Sequence, residues 1–284
     1  MTKKWDSMMK VVLLAALAAT LCLGMSCKKQ EPAPSQPQTP AKDTQAKPAE
    51  VKPAEAAQSA APEAAKPVET TPAPVAPAPA PAAGYAPLTI ELPKPMFVGT
   101  PQDMKVENLE KPLGRARPPF LAPEGAVLLS KGKPVSASDE EPIIGEIEMI
   151  TDGDKEAADG SYVELGPFVQ HVTIDLEKNS ELYAIVVWHY HKQPRVYFDV
   201  VVQLSNDKDF ITDVKTVFNN DIDNSAGLGI GKDMHYTETN EGKLIDLLSQ
   251  GSPKARYIRL YSNGNTSNDL NHYIEVDVYG KPAE

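Results

Sequence analysis

Apolar and polar residues alternate along much of the chain from residue 126 onward, which is the pattern of strands that bury one face. In the run 257–261 (YIRLY), Ile258 and Leu260 point to one side and the polar or aromatic residues to the other. In the run 273–279 (YIEVDVY), every second residue is aliphatic, and Gly280 follows as a stop. A period of two predicts half-buried β-strands. The polar loop between the two runs predicts that they form an antiparallel pair that closes the domain.

Other segments with the same character recur between turn signals upstream of this pair. The candidate strands are 126–130, 144–150, 162–165, 170–176, 182–191, 196–204, 214–218 and 234–238. The run 183–188 is apolar on both faces, which is typical of a central strand. No window longer than ten residues has sustained helical periodicity, although 243–248 could form one helical turn. Many short strands with glycine- and asparagine-rich connections predict an all-β fold, an antiparallel jelly-roll β-sandwich over residues 126–284.

The N-terminus has the pattern of an export signal. Three lysines precede an apolar run at 11–24 that is short for a membrane span, and small residues and Cys27 follow. The sequence LGMSC resembles a bacterial lipobox, although Gly24 stands where the lipobox has leucine. It predicts a signal peptide at 1–27 with lipidation of Cys27. The alternative is ordinary cleavage that leaves Cys27 free. The other cysteine, Cys22, lies inside the apolar run, so the exported part has no disulfide.

Residues 28–84 form a predicted stalk, and residues 85–125 a predicted arm. Thirteen of the 27 prolines lie between 30 and 84 among many alanines, a composition that cannot bury enough apolar surface to fold, so a disordered linker is expected. The segment 85–125 is punctuated by proline and is expected to pack on the sandwich as an extended arm. Its apolar residues Met96, Phe97, Phe120 and Leu121 are expected to dock there.

The charge of the folded part limits its partners. Residues 85–284 carry 19 of the 28 Lys+Arg and 32 of the 39 Asp+Glu, a net charge of −13. Nucleic acid is not an expected partner, because binding it needs clustered lysine and arginine. Contact with the membrane is expected only through the lipid anchor. Lysine rather than aspartate follows Cys27, as in lipoproteins that Gram-negative bacteria send to the outer membrane. The predicted location is therefore the outer membrane, with a secreted or periplasmic protein as the alternative.

Two quoted segments resemble a known domain family. ITDGDKEAADGSYVELG, followed by VQHVTIDLEK, resembles the first half of a coagulation-factor-5/8 type C (discoidin-like) domain, and ARYIRLYSNGN with YIEVDVYG resembles its last two strands. The resemblance covers about 128–280 and implies a galactose-binding-like β-sandwich. Two features differ from the family: the paired cysteines are absent, and Tyr162 stands where a tryptophan is common.

The resemblance also implies a structural calcium ion. In the family this ion lies in the aspartate-glycine loop and is shared with a glutamate of the final strand, which corresponds here to Asp152, Asp154 and Glu275, with Ser161 as a further candidate. Alternating oxygen ligands on a glycine-bent loop suit Ca²⁺. The alternative is a solvated acidic turn in which the aspartates cap backbone amides.

Four residues are candidates for ligand binding at the loops: His189, His191, Arg195 and Asn219. His189 and His191 are placed on one strand face, where with His235 they could also form a zinc site. In carbohydrate-binding relatives, histidine and arginine at the base of loops often bond sugar hydroxyls. Asn219 begins a glycine- and aspartate-rich loop at 219–233, which could instead be an ordered surface loop or a second cation site.

The predicted function is a non-catalytic surface binding module for carbohydrate or another envelope polymer. No Gly-x-Ser-x-Gly elbow and no cysteine nucleophile is present in the predicted folded part. One alternative is a protein–protein adhesion or structural domain of the envelope, with an envelope protein as its partner. The other is a small glycan-active hydrolase.

Overall fold

The computed structural model describes residues 83–97 and 104–283. The predicted signal, the lipidation at Cys27 and almost all of the predicted stalk lie outside these residues. Within them, no helix reaches the length and hydrophobicity needed to cross a membrane. The strands are β1 (Tyr85–Pro87), β2 (Leu121–Pro123), β3 (Val127–Leu128), β4 (Val135–Ala137), β5 (Val163–Pro167), β6 (Gln170–Trp188), β7 (Val201–Ser205), β8 (Lys215–Asn219), β9 (Lys243–Asp246), β10 (Lys254–Ser262), β11 (Leu270–Tyr273) and β12 (Glu275–Pro282), with one 3₁₀ helix at Ile147–Thr151. The strand pairs are antiparallel, and the predicted all-β sandwich is confirmed.

The longest strand, β6, belongs to both layers of the sandwich. Its first half pairs with β10 and β4, and its second half pairs with β12 and β9. The strand bends at Glu177, which has a left-handed φ of 65° and donates its backbone N–H to Asp175. β10 continues the first layer to β7 and β8, and β12 continues the second to β3. The sequence pattern predicts two strands here, 170–176 and 182–191, because the corner has the composition of a turn.

The core lies between the two layers, and a smaller apolar cluster lies on the outer face of the second. Ile174 and Leu260 of the first layer meet Ile185 and Val278 of the second in the main core. The intervening residues of β6, Ala184, Val186 and Trp188, face the other way and form the smaller cluster with Tyr190, Ile274 and Tyr279. The expectation that 183–188 is apolar on both faces is therefore confirmed.

The arm covers this smaller cluster. Leu88, Ile90 and Phe120 pack against it, and β1 pairs with β2. Arg117 anchors the arm, because its guanidinium donates to the carbonyls of Glu241 and Gly242 at 2.9 Å each. Two of the apolar residues expected to dock are instead exposed, Met96 at 41% and Leu121 at 37%.

Three local predictions were wrong. Residues 147–151 form a 3₁₀ helix rather than a strand, because Gly145 with φ of 77° turns the chain and Met149 donates its N–H to the carbonyl of Glu146. Residues 243–246 form β9 rather than a helical turn, since they extend the second layer beside β6. The segment 234–238 contributes only an isolated bridge at His235.

A partly buried histidine of β6, His171, gives the fold a pH dependence. Burial, helped by the nearby charge of Arg259, lowers the pKa of His171 from 6.5 to about 4. The ring lies 5.2 Å from that of Tyr261 in a tilted arrangement, with 48° between the ring planes. Because the pKa of His171 is lower in the folded than in the unfolded protein, the neutral ring favours the folded state. Its contribution to the free energy of unfolding is complete above pH 6.5 and is lost as the pH falls through 4. We expect His171→Gln to reduce the loss of unfolding free energy between pH 7 and 4.5 by about 1–2 kcal/mol. Urea midpoints at the two pH values test this, and an equal acid loss in both proteins would contradict it.

Candidate functional site

The loops that carry the candidate site meet at one end of the sandwich. β6 ends at Trp188 opposite Glu275, where β12 begins, and β10 ends at Ser262 opposite Gln170, where β6 begins. An isolated bridge between Tyr197 and Asn265 joins the loop after β6 to the loop after β10. We call this end, made of residues 189–200, 219–242 and 262–274, the loop end. The bend in β6 brings the ends of both layers here.

A cluster of buried polar side chains occupies the centre of the loop end. His189 Nδ1 lies 2.6 Å from Glu238 Oε1, and both side chains are fully buried. His272 Nε2 lies 2.9 Å from Glu164 Oε2, because β11 and β5 place these two residues opposite each other. Tyr197 stacks on His189 with a ring separation of 4.4 Å. We call these five residues together with Arg195 the histidine–arginine cluster.

Several atoms of the histidine–arginine cluster are buried and have no hydrogen-bond partner within the described protein. They are His189 Nε2, Glu238 Oε2, His272 Nδ1, Tyr197 Oη and Arg195 Nε and Nη1. A buried polar group without a partner is costly, and such groups are rare in stable folds. Their concentration in one place marks this cluster as the site where a polar ligand or ordered water gains most.

The ion-pair geometry fixes what each histidine can offer. A carboxylate only accepts hydrogen bonds, so Glu238 orients the Nδ1–H of His189 and leaves Nε2 as an acceptor. By the same argument, Glu164 orients the Nε2–H of His272 and leaves Nδ1 as an acceptor. Burial, with further contributions from Arg195 and His189, lowers the pKa of His272 to about 4, so this ring is neutral at physiological pH. Burial also raises the pKa of Glu164 and raises that of Tyr197 well above 10.

Aromatic side chains form one wall of the cluster. Tyr162 and Tyr190 meet edge to face at 4.9 Å, and the guanidinium of Arg195 lies 4.5 Å from the ring centre of Tyr190. Tyr162, Glu164 and Arg195 are partly exposed, whereas His189 and Tyr197 are buried. The partly exposed residues therefore form the mouth of the cluster and the buried ones its floor.

The structure brings two of the four candidate ligand residues together, His189 and Arg195. His191 does not share a face with His189, because β6 ends at Trp188 and His191 instead donates from Nε2 to the carbonyl of Lys155 at 3.0 Å. Asn219 uses its side chain inside its own loop, accepting from the N–H of Asp221 and donating to the carbonyl of Gly229. The third histidine considered for zinc, His235, bonds the carbonyl of Glu107. The four candidate residues therefore do not form one joint site.

Sequence reasoning missed Glu164, Glu238 and His272. His272 and Glu164 become neighbours only through the register of β11 and β5. Glu238 reaches His189 from a segment that forms no strand. An alternating pattern signals which residues are buried, but the pairing of distant segments decides which polar side chains meet.

The predicted calcium loop lies against the expected glutamate. The N–H of Gly153 donates to Glu275 Oε2 at 3.0 Å. Asp152 Oδ1 accepts from the N–H of Asp154, and Asp154 Oδ1 accepts from the N–H of Glu156, so both aspartates also cap the turn. Ser161 donates its backbone N–H to the carbonyl of Ala158. Burial raises the pKa of Glu275 to about 8, which leaves this carboxyl mostly protonated at neutral pH.

The side chains of this loop do not form a ready oxygen cage for a cation. Among the described residues, the one group whose carboxylate or histidine ligand atoms all lie within 4.8 Å of one another is Asp199, Asp221 and Asp223, so Asp152, Asp154 and Glu275 do not meet that condition. An ammonium group is also present, since Lys155 Nζ lies 3.4 Å from Asp277 Oδ2. Calcium binding at this loop stays a prediction.

Two of the three aspartates of this group, Asp199 and Asp221, accept hydrogen bonds that join the segment before β7 to the loops after β8 and β10. Asp221 accepts from the N–H groups of Ser225 and Ala226, and Asp199 accepts from Ser225 and Asn263 side chains. These hydrogen bonds stabilise the loop that follows β8.

A well-formed cavity lies away from the histidine–arginine cluster. It has a volume of about 360 Å³ and lies between the arm and the second layer, where Glu91, Glu124, Lys131, Lys155 and Tyr279 contribute polar groups. Its polar lining carries both signs of charge. The cluster at the loop end is instead a partly exposed patch above buried groups.

The fold and the site define the domain as an antiparallel β-sandwich with a polar cluster at its loop end. No family model and no curated protein matches the chain. Among solved structures, it is similar to a truncated AlyQ with CBM32 and alginate lyase domains (18% identity, 56% of this chain and 34% of that chain, TM-score 0.40). The isolated CBM32 of AlyQ in complex with 4,5-unsaturated mannuronic acid is 20% identical over 51% of this chain and 92% of that chain, with a TM-score of 0.37.

A third similar structure is CpGH89CBM32-4 from Clostridium perfringens in complex with GlcNAc-α-1,4-galactose. It is 17% identical over 56% of this chain and 97% of that chain, with a TM-score of 0.39. The chain thus spans about a third of the first of these structures and nearly all of the two isolated modules. Likenesses of this size do not show what the present chain binds.

Proposed function

We propose that this domain is a non-catalytic module that binds a hydroxyl-rich polymer, carbohydrate above all, through the histidine–arginine cluster. The observation that carries the proposal is the set of buried, unpartnered donors and acceptors at the loop end. In this proposal, the predicted lipidated Cys27 and the stalk tether the module to the cell envelope.

The hydrogen-bonding groups of the cluster suit two neighbouring hydroxyl groups of an uncharged ligand. Beneath the mouth, Arg195 has two N–H donors without a partner, the oriented histidines have ring nitrogens as acceptors, and the hydroxyl of Tyr197 can do both. In this proposal, a ligand reaches these buried atoms when the partly exposed mouth residues Tyr162, Glu164 and Arg195 move aside. Neighbouring sugar hydroxyls donate and accept in turn, and would satisfy groups of both kinds. Glu164 and Glu238 disfavour an acidic ligand here, while Arg195 disfavours a cation. Tyr162 at the mouth offers an apolar surface of the type that packs on sugar rings.

The absence of an activated nucleophile supports a binding role. Among the described residues, no serine, threonine or cysteine side chain hydrogen-bonds to a histidine ring. The two histidines of the cluster are held by carboxylates, and their remaining ring nitrogens are buried. This arrangement orients acceptors, but it gives neither ring a hydroxyl to deprotonate.

Binding to a glycan array tests the proposal. We expect Arg195→Ala to weaken binding of any glycan found with the wild-type protein at least tenfold, because two donors and one wall of the site are lost. Arg259→Ala is the matched control. Arg259 lies on β10, with its guanidinium 4.1 Å from the ring centre of Phe210, so its substitution should leave glycan binding unchanged. Equal affinity of the wild type and Arg195→Ala for the same glycan would contradict the assignment.

Protein–protein adhesion is the second candidate, and one observation favours it. Among the described residues, three large apolar side chains are strongly exposed on loops, Phe168 at 79%, Ile211 at 80% and Ile230 at 72%. Surface apolar groups of this kind can bind a protein partner. In that case the array would be blank, and Phe168→Ser would reduce capture of an envelope protein while Arg195→Ala would not.

A further inference from the structure

Two carboxyl side chains are buried on one face of β12. Glu275 and Asp277 are both fully buried, and as residues two apart on a strand they point the same way. Glu275 Oε1 and Asp277 Oδ1 have no hydrogen-bond partner within the described protein. Burying two carboxyls together is strongly unfavourable unless a cation or donors compensate. For Glu275, the resemblance to discoidin-like domains assigns that role to calcium.

Lys155, in the predicted calcium loop, already supplies a cation. Lys155 is only 8% exposed, and its Nζ lies 3.4 Å from Asp277 Oδ2. The ammonium also lies 5.3 Å from the ring centre of Trp188, within range of a cation–π interaction. The same carboxylate oxygen has a second donor, because the hydroxyl of Tyr279 donates to Asp277 Oδ2 at 2.7 Å.

The surrounding structure holds this lysine in place. His191 donates to the carbonyl of Lys155, and Gly153 two residues earlier donates to Glu275, so the backbone around Lys155 is held both to β12 and to the segment after β6. The arm packs on the same small apolar cluster and forms a cavity in which Lys155 and Tyr279 are wall residues. Among the described donors that reach Asp277, Lys155 is the one with a full charge.

We propose that the ammonium of Lys155 is the built-in cation of this site and takes the place that the family resemblance assigns to calcium. The lysine holds the loop 151–162 to β12 by its attraction to Asp277. The domain is therefore stable without a metal ion, because a side chain of the chain itself holds this loop against β12.

Thermal melting of the full chain tests the proposal. We expect the wild-type Tm to be the same in EDTA and in excess CaCl2. Lys155→Met keeps the apolar stem but removes the charge, and should lower the Tm by about 10 °C, because a buried carboxylate is left without its partner. Lys192→Met is the matched control: Lys192 pairs with Asp159 at the surface, and its loss should shift the Tm by about 2 °C or less.

A double variant separates loss of charge pairing from loss of packing. Asp277→Asn removes the carboxylate that needs the cation, so Lys155→Met with Asp277→Asn should recover at least half of the Tm lost in Lys155→Met. If Lys155→Met does not fold, a folded double variant still supports the proposal and an unfolded one overturns it. The proposal is also overturned if EDTA lowers the wild-type Tm and calcium restores it, or if Lys155→Met costs no more than Lys192→Met. Since glycan binding is not measured here, these outcomes are independent of the proposed function.

Discussion

Trp188→Ala is expected to lower the free energy of unfolding by about 3–5 kcal/mol. The side chain is fully buried at the end of β6 and lies in the small apolar cluster beneath the arm. Its indole N–H donates to the carbonyl of Asn240 at 3.0 Å, which ties the segment before β9 to the second layer. Alanine leaves both a cavity and an unpaired carbonyl. Urea unfolding followed by far-ultraviolet circular dichroism measures the loss without relying on the missing fluorophore.

Trp188→Phe separates the two contributions. The phenylalanine ring fills most of the space but cannot donate to Asn240, so we expect a loss of about 1–2 kcal/mol. The arm should stay docked in this variant and detach more readily in Trp188→Ala. A loss below about 1 kcal/mol for Trp188→Ala would mean that the arm and the cluster beneath it contribute little to stability.

Alternation predicted the strands best where one strand has one environment. The run 257–261 lies within β10, whose buried residues Ile258 and Leu260 point into the core as expected. The pattern failed where a strand changes partners. Glu177 bends β6 between two layers, and the surrounding charged residues have the composition of a surface turn. Only pairing with β10 on one side and β12 on the other makes this segment one strand.

For the candidate site as well, the sequence predicted some residues but not their partners. His189 and Arg195 follow a long apolar run, and the sequence places such residues at the rim of a sheet. Their partners come from distant segments, and no local pattern indicates that Glu238 or His272 turns inward. The predicted calcium loop and Glu275 lie together, as the family resemblance implied. The role of Lys155 could not be foreseen, because its side-chain direction depends on how the loop packs on β12.

Gly280→Ala is expected to cost about 3 kcal/mol or more, because the backbone has no room for a methyl group there. A Cβ at this position would lie 3.1 Å from the carbonyl carbon of Glu181 and in direct collision with its oxygen. The sequence suggested that Gly280 ends the last strand, but β12 continues to Pro282, and the register shifts between Tyr279 and Gly280. Glycine inside a strand often marks such a close approach of two backbones. Overpacking against a main chain cannot be relieved by moving a side chain.

Gly132→Ala provides the comparison that isolates this effect. Gly132 has a left-handed φ of 66°, and a methyl group added there would have no neighbouring atom within 4 Å, so its substitution costs only backbone strain, about 1 kcal/mol. Gly280 has no such φ, so its substitution causes crowding without this strain, chiefly against the main chain of β6 and also 3.0 Å from the side chain of Leu129. Urea midpoints of the two variants therefore compare strain with crowding directly. If Gly280→Ala were as stable as Gly132→Ala, β12 and β6 would have to separate easily at their bulge, and the tight join between the closing strand and the corner of β6 would not be a source of stability.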